Sequence, residues 1–316
     1  MRTESQSEAL VEAARAGDTR ALARLVSLVE NGSAELRPVM RAVAPYSGHA
    51  RVVGLTGSPG VGKSTVTGAL VRGYRAQGLR VGVLAVDPTS PFSGGALLGD
   101  RVRMQDHATD PDVFIRSMAS RGHLGGLSWA APQALRIIDA AGFDVICVET
   151  VGVGQAEVEI AALADSTLVI LAPGMGDSIQ AAKAGILEIA DIFVVNKSDR
   201  PGAQEVVRDL RNMLAMIRYG EGEWKPPIVT ASAVAGTGID ELITRLDAHW
   251  AWLGGSGERD RRRVARAREE ISAIAVADIR RRIGALPGES RLDDLAGQVA
   301  SGKLDPYSAA DELTSG

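Results

Sequence analysis

Residues 57–64 read Gly57-Ser58-Pro59-Gly60-Val61-Gly62-Lys63-Ser64, a G-x-x-x-x-G-K-S stretch. In this P-loop pattern the glycines let the backbone wrap, so that successive N–H groups point at one phosphate chain. The lysine ammonium reaches the β- and γ-phosphates, and the serine hydroxyl ligates Mg²⁺. A connecting turn can also be rich in glycine, so the flanks decide. An apolar run, Val52-Val53-Gly54-Leu55, precedes the loop, and a helical pattern over Thr65–Arg75, apolar at Val66, Leu70 and Val71, follows it. Strand, loop and helix N-terminus stand in the required order. The stretch is not G-x-G-x-x-G and gives a dinucleotide fold no support. It predicts a nucleoside triphosphate site made by Gly57, Ser58, Pro59, Gly60, Val61, Gly62, Lys63, Ser64 and Thr65.

Outward from the loop, residues 46–253 alternate between short apolar runs and helical stretches. The runs are Val52–Thr56, Val81–Val86, Val113–Ile115, Phe143–Glu149, Ser166–Leu171, Ile192–Asn196 and Ile228–Ala231. Most are continuously apolar and rich in Val and Ile, as in strands covered on both faces. Helical patterns over Trp129–Ala140, Ser178–Ile189 and Gln204–Ile217 lie between them. The alternation predicts an α/β fold: a P-loop nucleotide-binding domain on a mostly parallel central sheet. Ligands of such a sheet sit beyond the carboxyl ends of its strands.

The strand ends carry the informative residues. Glu149, at the tip of the fourth run, is the expected second Mg²⁺ anchor. Gly152 follows it closely enough for its N–H to reach a γ-phosphate and sense its loss. Asn196-Lys197-Ser198-Asp199 fits the N-K-x-D pattern of guanine-reading proteins. Asp199 can accept from both the ring N1–H and the exocyclic amine of guanine, a pair that adenine lacks. The Lys197 stem can lie along the base while Asn196 ties loops together. Ala231-Ser232-Ala233, continuing to Val234, matches the loop where a backbone N–H approaches the base O6. The set therefore predicts GTP rather than ATP. Asp87 closes the second run and opens Asp87-Pro88-Thr89-Ser90-Pro91, with Asp100, Arg101 and Arg103 beyond it. Asp87 and Asp100 are candidates for Mg²⁺ or water positioning in a nucleotide-sensing segment. His107 and His123 each stand alone and suggest no metal site.

The rest of the chain sets bounds. At 316 residues, 45% of them hydrophobic, it can bury a substantial core. A net charge of −4 with both signs interspersed gives no global field for nucleic acid or for a membrane surface. The single Cys147 excludes an internal disulfide, and its apolar neighbours mark a buried, inert thiol. No signal-like or membrane-length apolar segment is visible, so a cytoplasmic protein is expected. Residues 1–45 show helical stripes broken near Ala16-Gly17-Asp18 and suggest a helical extension. After Leu253, Gly254-Gly255-Ser256-Gly257 reads as a flexible break. The arginine-rich helical pattern Glu258–Ile283 follows, in a C-terminal region 254–316 expected to pack against a second subunit.

Taken together, Gly57–Ser64, Asp87-Pro88-Thr89-Ser90-Pro91, Gly99-Asp100-Arg101-Val102-Arg103-Met104, Glu149-Thr150-Val151-Gly152-Val153-Gly154-Gln155 and Asn196–Asp199 resemble the MeaB/ArgK family of GTPases. These are metallochaperones of the adenosylcobalamin-dependent methylmalonyl-CoA mutase. The resemblance covers essentially the whole chain. It implies a homodimer that hydrolyses GTP to GDP slowly and gates cobalamin loading or protects the mutase. It places Asp87, Asp100 and Glu149 around Mg²⁺. It also assigns a mobile segment matching 174–186, with Asp177, Gln180 and Lys183, to relaying nucleotide state to the mutase. Small Ras-like GTPases carry their catalytic glutamine directly after the D-x-x-G glycine. Here Val153 stands there and Gln155 comes two later, a gap that fits slow unaided turnover. Two other readings stay open: a P-loop small-molecule kinase, and a GTP-dependent targeting or transport module.

Overall fold

The computed structural model describes residues 2–31, 33, 35–88, 109–120, 130–150, 156–174, 187–284 and 289–314. These form two compact units, 1–262 and 263–316. Gly152, Gln155, Asp100, Asp177, Gln180, Lys183, His107 and His123 lie outside the described residues, as do the side chain of Asp87 and most of the pattern over 178–189.

The first unit is built on seven strands: β1 (Arg51–Thr56), β2 (Val81–Pro88), β3 (Val113–Ser120), β4 (Val145–Thr150), β5 (Ser166–Leu171), β6 (Ile192–Val195) and β7 (Ile228–Thr230). They make one sheet in the order β3-β2-β4-β1-β5-β6-β7, and every described pair is parallel. Continuous apolar runs arise because successive residues serve opposite faces. On β4, Ile146 and Val148 belong to the core under α1 (Arg2–Arg15), α2 (Thr19–Glu30), α3 (Leu36–Val43) and α5 (Ala131–Ala140). Val145 and Cys147 belong to the core under α4 (Lys63–Ala76) and α9 (Ile239–Gly255). α6 (Ala156–Leu163) contributes Ile160 to the first core. α8 (Ala203–Leu214) packs Val206, Val207 and Leu210 against Val169, Leu171, Phe193 and Val195, and the three-residue α7 (Leu187–Ile189) precedes β6.

The helical extension is three helices on the first face of this sheet. Its break near residue 17 has a local cause: Asp18 caps α2 by accepting the N–H groups of Arg20 and Ala21. The main differences from the sequence reading are three, apart from shifts of two or three residues at the ends of β2 and α8. β3 continues to Ser120, because the polar Arg116 at this sheet edge pairs with Glu30 and Ser27 of α2 instead of ending the strand. β4 starts at Val145, since Phe143 instead lies under the Arg80 guanidinium. The glycine-rich stretch is a tight joint: α9 runs through Gly255, Gly257 takes φ +70°, and α10 (Glu258–Gly284) begins at once. The second unit holds the remainder of α10 with α11 (Glu289–Ala300) and α12 (Pro306–Thr314).

Candidate functional site

The loop 57–62 joins the carboxyl end of β1 to the first residue of α4. Its glycines are demanded by space as well as by conformation. A Cβ on Gly57, at φ +141°, would lie 2.2 Å from the Ile170 carbonyl oxygen. One on Gly62, at φ +96°, would lie 2.5 Å from the Asn196 side-chain nitrogen. Only glycine lets the loop close onto β5 and β6 this tightly. Lys63 opens α4, is almost fully buried, and donates through Nζ to the carbonyls of Gly57 at 2.6 Å and Ser58 at 3.2 Å. The ammonium is thus held inside the curve of the loop. Ser64 is half-buried and Thr65 exposed in the first turn of α4, where unpaired N–H groups and the helix dipole favour an anion.

Glu149 sits in register with Leu55 of β1 and Ala85 of β2, at the same sheet edge, and is 2% exposed. Thr67, one turn into α4, donates to Glu149 Oε2 at 2.7 Å. Thr67 escaped the sequence reading because it lies beyond the P-loop motif; its i+4 spacing from Lys63 is the only available signal. Asp87 falls further along β2 at this edge, paired in register with Ala119. The Ser64 hydroxyl in the first turn of α4 and the buried Glu149 carboxylate, bonded to Thr67 of the same helix, are hard oxygen donors of the kind that suits Mg²⁺ completed by phosphate and water. No cluster of three His, Cys, Asp or Glu side chains occurs among the described residues, so an all-protein metal cage is not offered there.

The second half of the site follows β6. Asn196 is buried and joins three segments: its backbone N–H donates to Leu171, its Nδ2 to the Val61 carbonyl at 2.9 Å, and its Oδ1 accepts the Ala233 N–H at 3.1 Å. Lys197 takes the left-handed φ of 56°, rare outside glycine, and its Nζ donates to the Gly60 carbonyl at 2.7 Å. Asp199 is exposed, and a hydrogen bond from the Ser232 side chain holds its carboxyl below the usual value. Ser232 and Ala233 are buried, while Val234 is 89% exposed. Every described member of the predicted set therefore gathers along one sheet edge, in two loop systems tied through Asn196 and Lys197.

A family model described as "Methylmalonyl Co-A mutase-associated GTPase MeaB" matches residues 22–287. The chain belongs to this family. A relative from Pyrococcus horikoshii, provisionally named a GTPase, is 48% identical over 304 residues, covering 96% of this chain and 95% of that one. The GTPase ArgK of Escherichia coli is 40% identical over 235 residues, 72% of this chain and 71% of its own. The mitochondrial methylmalonic aciduria type A homolog of Caenorhabditis elegans is 33% identical over 266 residues, 83% of this chain and 67% of its own. Among solved structures, one titled a LAO/AO transport system kinase matches with a TM-score of 0.70 at 27% identity, covering 100% of this chain and 97% of that chain. The α/β P-loop fold of the MeaB family is therefore this chain's fold. No helix among the described residues is long and apolar enough to cross a membrane.

Proposed function

We propose that the chain binds GTP with Mg²⁺ along this sheet edge, hydrolyses it slowly to GDP, and uses the two states to gate cofactor loading of an adenosylcobalamin-dependent mutase, methylmalonyl-CoA mutase first. The observation that carries the reading is Asn196, which bonds the phosphate loop through Val61 and the base-side loop through Ala233. A loop pair tied in this way makes phosphate contact and base contact report on each other. Lys63 stands inside the phosphate loop, and the N–H groups of 57–65 supply an anion cradle. The Ser232 side chain bonds Asp199 and holds its carboxyl below the usual value, and this carboxylate is the proposed acceptor for guanine. Bound Mg²⁺ would neutralise charge across the β- and γ-phosphates, with Ser64, Glu149, Asp87 and Asp100 as the residues to hold it. Gly152 and Gln155 are the proposed γ-phosphate contact and water-positioning group, and Asp177, Gln180 and Lys183 the relay to the partner. The exposed Val264, Ile271, Ile274 and Ile279 of the second unit support a homodimer through α10.

GTP turnover with and without stoichiometric cognate mutase tests the reading. The mutase is expected to accelerate hydrolysis severalfold, and Lys63→Ala to abolish turnover in both arms. Unchanged turnover with the mutase removes the chaperone role. Phosphate transfer to an acceptor other than water would favour a kinase instead.

A further inference from the structure

A cavity of about 500 Å³ lies at the amino edge of the sheet, within the size range typical of small-molecule sites. Arg51 opens β1, Arg80 leads into β2, and Phe143 and Asp144 lead into β4, whereas the phosphate loop leaves the carboxyl end of β1. The cavity is thus separated from the nucleotide site by the length of the strands. We propose that it is a second ligand site, taking a small molecule that joins one phosphate to a flat ring, of the nucleoside-monophosphate kind.

Three guanidiniums line it, and each is seated on an aromatic ring. The Arg15 guanidinium carbon lies 3.5 Å from the Tyr46 ring centre, that of Arg80 lies 4.5 Å from Phe143, and that of Arg51 lies 5.3 Å from Trp250. Such seating fixes the guanidinium plane while leaving its N–H edge free to meet an anion. The described hydrogen bonds and ion pairs leave that edge partly unspent. Arg15 bonds Glu12 through Nη1, Arg51 bonds Asp247 through Nη1, and Arg80 uses Nη1 for the Ala141 and Gly142 carbonyls and Nε for Asp112. None of these contacts uses Nη2. Two carboxylates also line the cavity, but both already face backbone donors. Asp139 accepts from the N–H groups of Gly48, His49 and Ala50, and Asp144 from that of Arg80. Each guanidinium is thus already countered by one carboxylate outside the lining, Glu12, Asp247 or Asp112, and what it keeps for a ligand is its Nη2 edge. The outer faces of the guanidinium planes suit stacking of a flat ring, and their edges suit a phosphate.

The test is calorimetric titration of AMP into the full chain saturated with GDP and Mg²⁺, with inorganic phosphate and adenosine titrated in parallel. One AMP per chain is expected, bound at least tenfold tighter than phosphate or adenosine alone. Arg15→Ala and Arg51→Ala should each weaken AMP about tenfold, as loss of a charge-assisted hydrogen bond does, with GDP affinity unchanged. Arg15, at the exposed end of α1, supplies the informative variant if Arg51→Ala fails to fold. Lys63→Ala should leave AMP binding intact. Absence of AMP binding, competition between AMP and GDP, or AMP affinity in both arginine variants unchanged from the native chain overturns the proposal. Because GDP is measured first, failure of the GTP site is seen separately, and AMP titrated into the nucleotide-free chain still decides this one.

Discussion

Asp199 and Thr67 show how two polar side chains in one site answer to different constraints. Asp199 is exposed, so its role rests on the donors it faces, not on burial. Replacing it with Asn turns one acceptor oxygen into a donor, which clashes with the exocyclic amine of guanine but meets the 2-oxo group of xanthine, while the remaining oxygen still accepts from N1–H. Asp199→Asn should therefore shift preference from GTP toward XTP by more than tenfold in competitive binding; retained GTP selectivity would remove Asp199 from the base contact. Thr67 acts in the opposite regime. It is wholly buried and donates to the buried carboxylate of Glu149. Withdrawing a donor from a buried charged acceptor costs about 1–3 kcal/mol. Thr67→Val should lower thermal stability by that amount and Thr67→Ser should restore it, as chemical denaturation of the three forms will report. The first residue was legible because a contiguous tetrapeptide announces it. The second was hidden because its partner is far along the chain.

At the scale of elements, strands covered on both faces declare themselves by unbroken apolar runs. β3 declares only its first half, because Arg116 at the sheet edge pairs with α2. The same limit hid the polar cluster at the foot of β5 and β6. There Asp191 accepts from the Thr167 N–H at 2.8 Å and pairs with Arg262 of α10 at 3.1 and 3.2 Å. The fully buried His249 of α9 places Nε2 3.3 Å from Asp191 Oδ1, off-line for a hydrogen bond, while its Nδ1 meets the Ser166 hydroxyl at 2.8 Å. No motif joins residues 166, 191, 249 and 262, so only the fold could assemble them. Burial pushes the Asp191 carboxyl up, but the His249 ring and the Arg262 charge outweigh it and hold it below its ordinary value. A carboxyl depressed in the folded state contributes stability that is complete above its unfolded value, near about 4, and is lost as pH falls through the lower folded value. Arg262→Ala should cost roughly 2–3 kcal/mol at neutral pH, the lower side for a buried pair because Arg262 is a third exposed. Asp191→Asn should flatten the stability profile below pH 4, and an unchanged acid slope would dismiss the pair as a stabilising contact.

The first unit as a whole has one built-in reporter of its cooperativity. Cys147 pairs in register with Val53 on one side and Val83 on the other, at the middle of the sheet and in the core beneath α4. Burial, with the Glu149 charge adding to it, pushes its thiol up to about 12. A thiol so placed has almost no thiolate at neutral pH and no path for a reagent, so alkylation requires the sheet to open. When opening and reclosing are fast against labelling, the labelling rate follows the open population. A ligand that binds only the closed sheet lowers that population by the factor 1 + [L]/Kd, about 100-fold and about 2.7 kcal/mol at a hundred times Kd. Iodoacetamide labelling of Cys147 should therefore be slow in the native chain, complete in denaturant, and slowed about 100-fold further by saturating GDP with Mg²⁺. ADP at the same concentration should leave the rate where it was. Equal protection by both nucleotides would mean that the sheet edge grips phosphate without reading guanine. Rapid labelling of the native chain would mean that β4 opens locally without its neighbours.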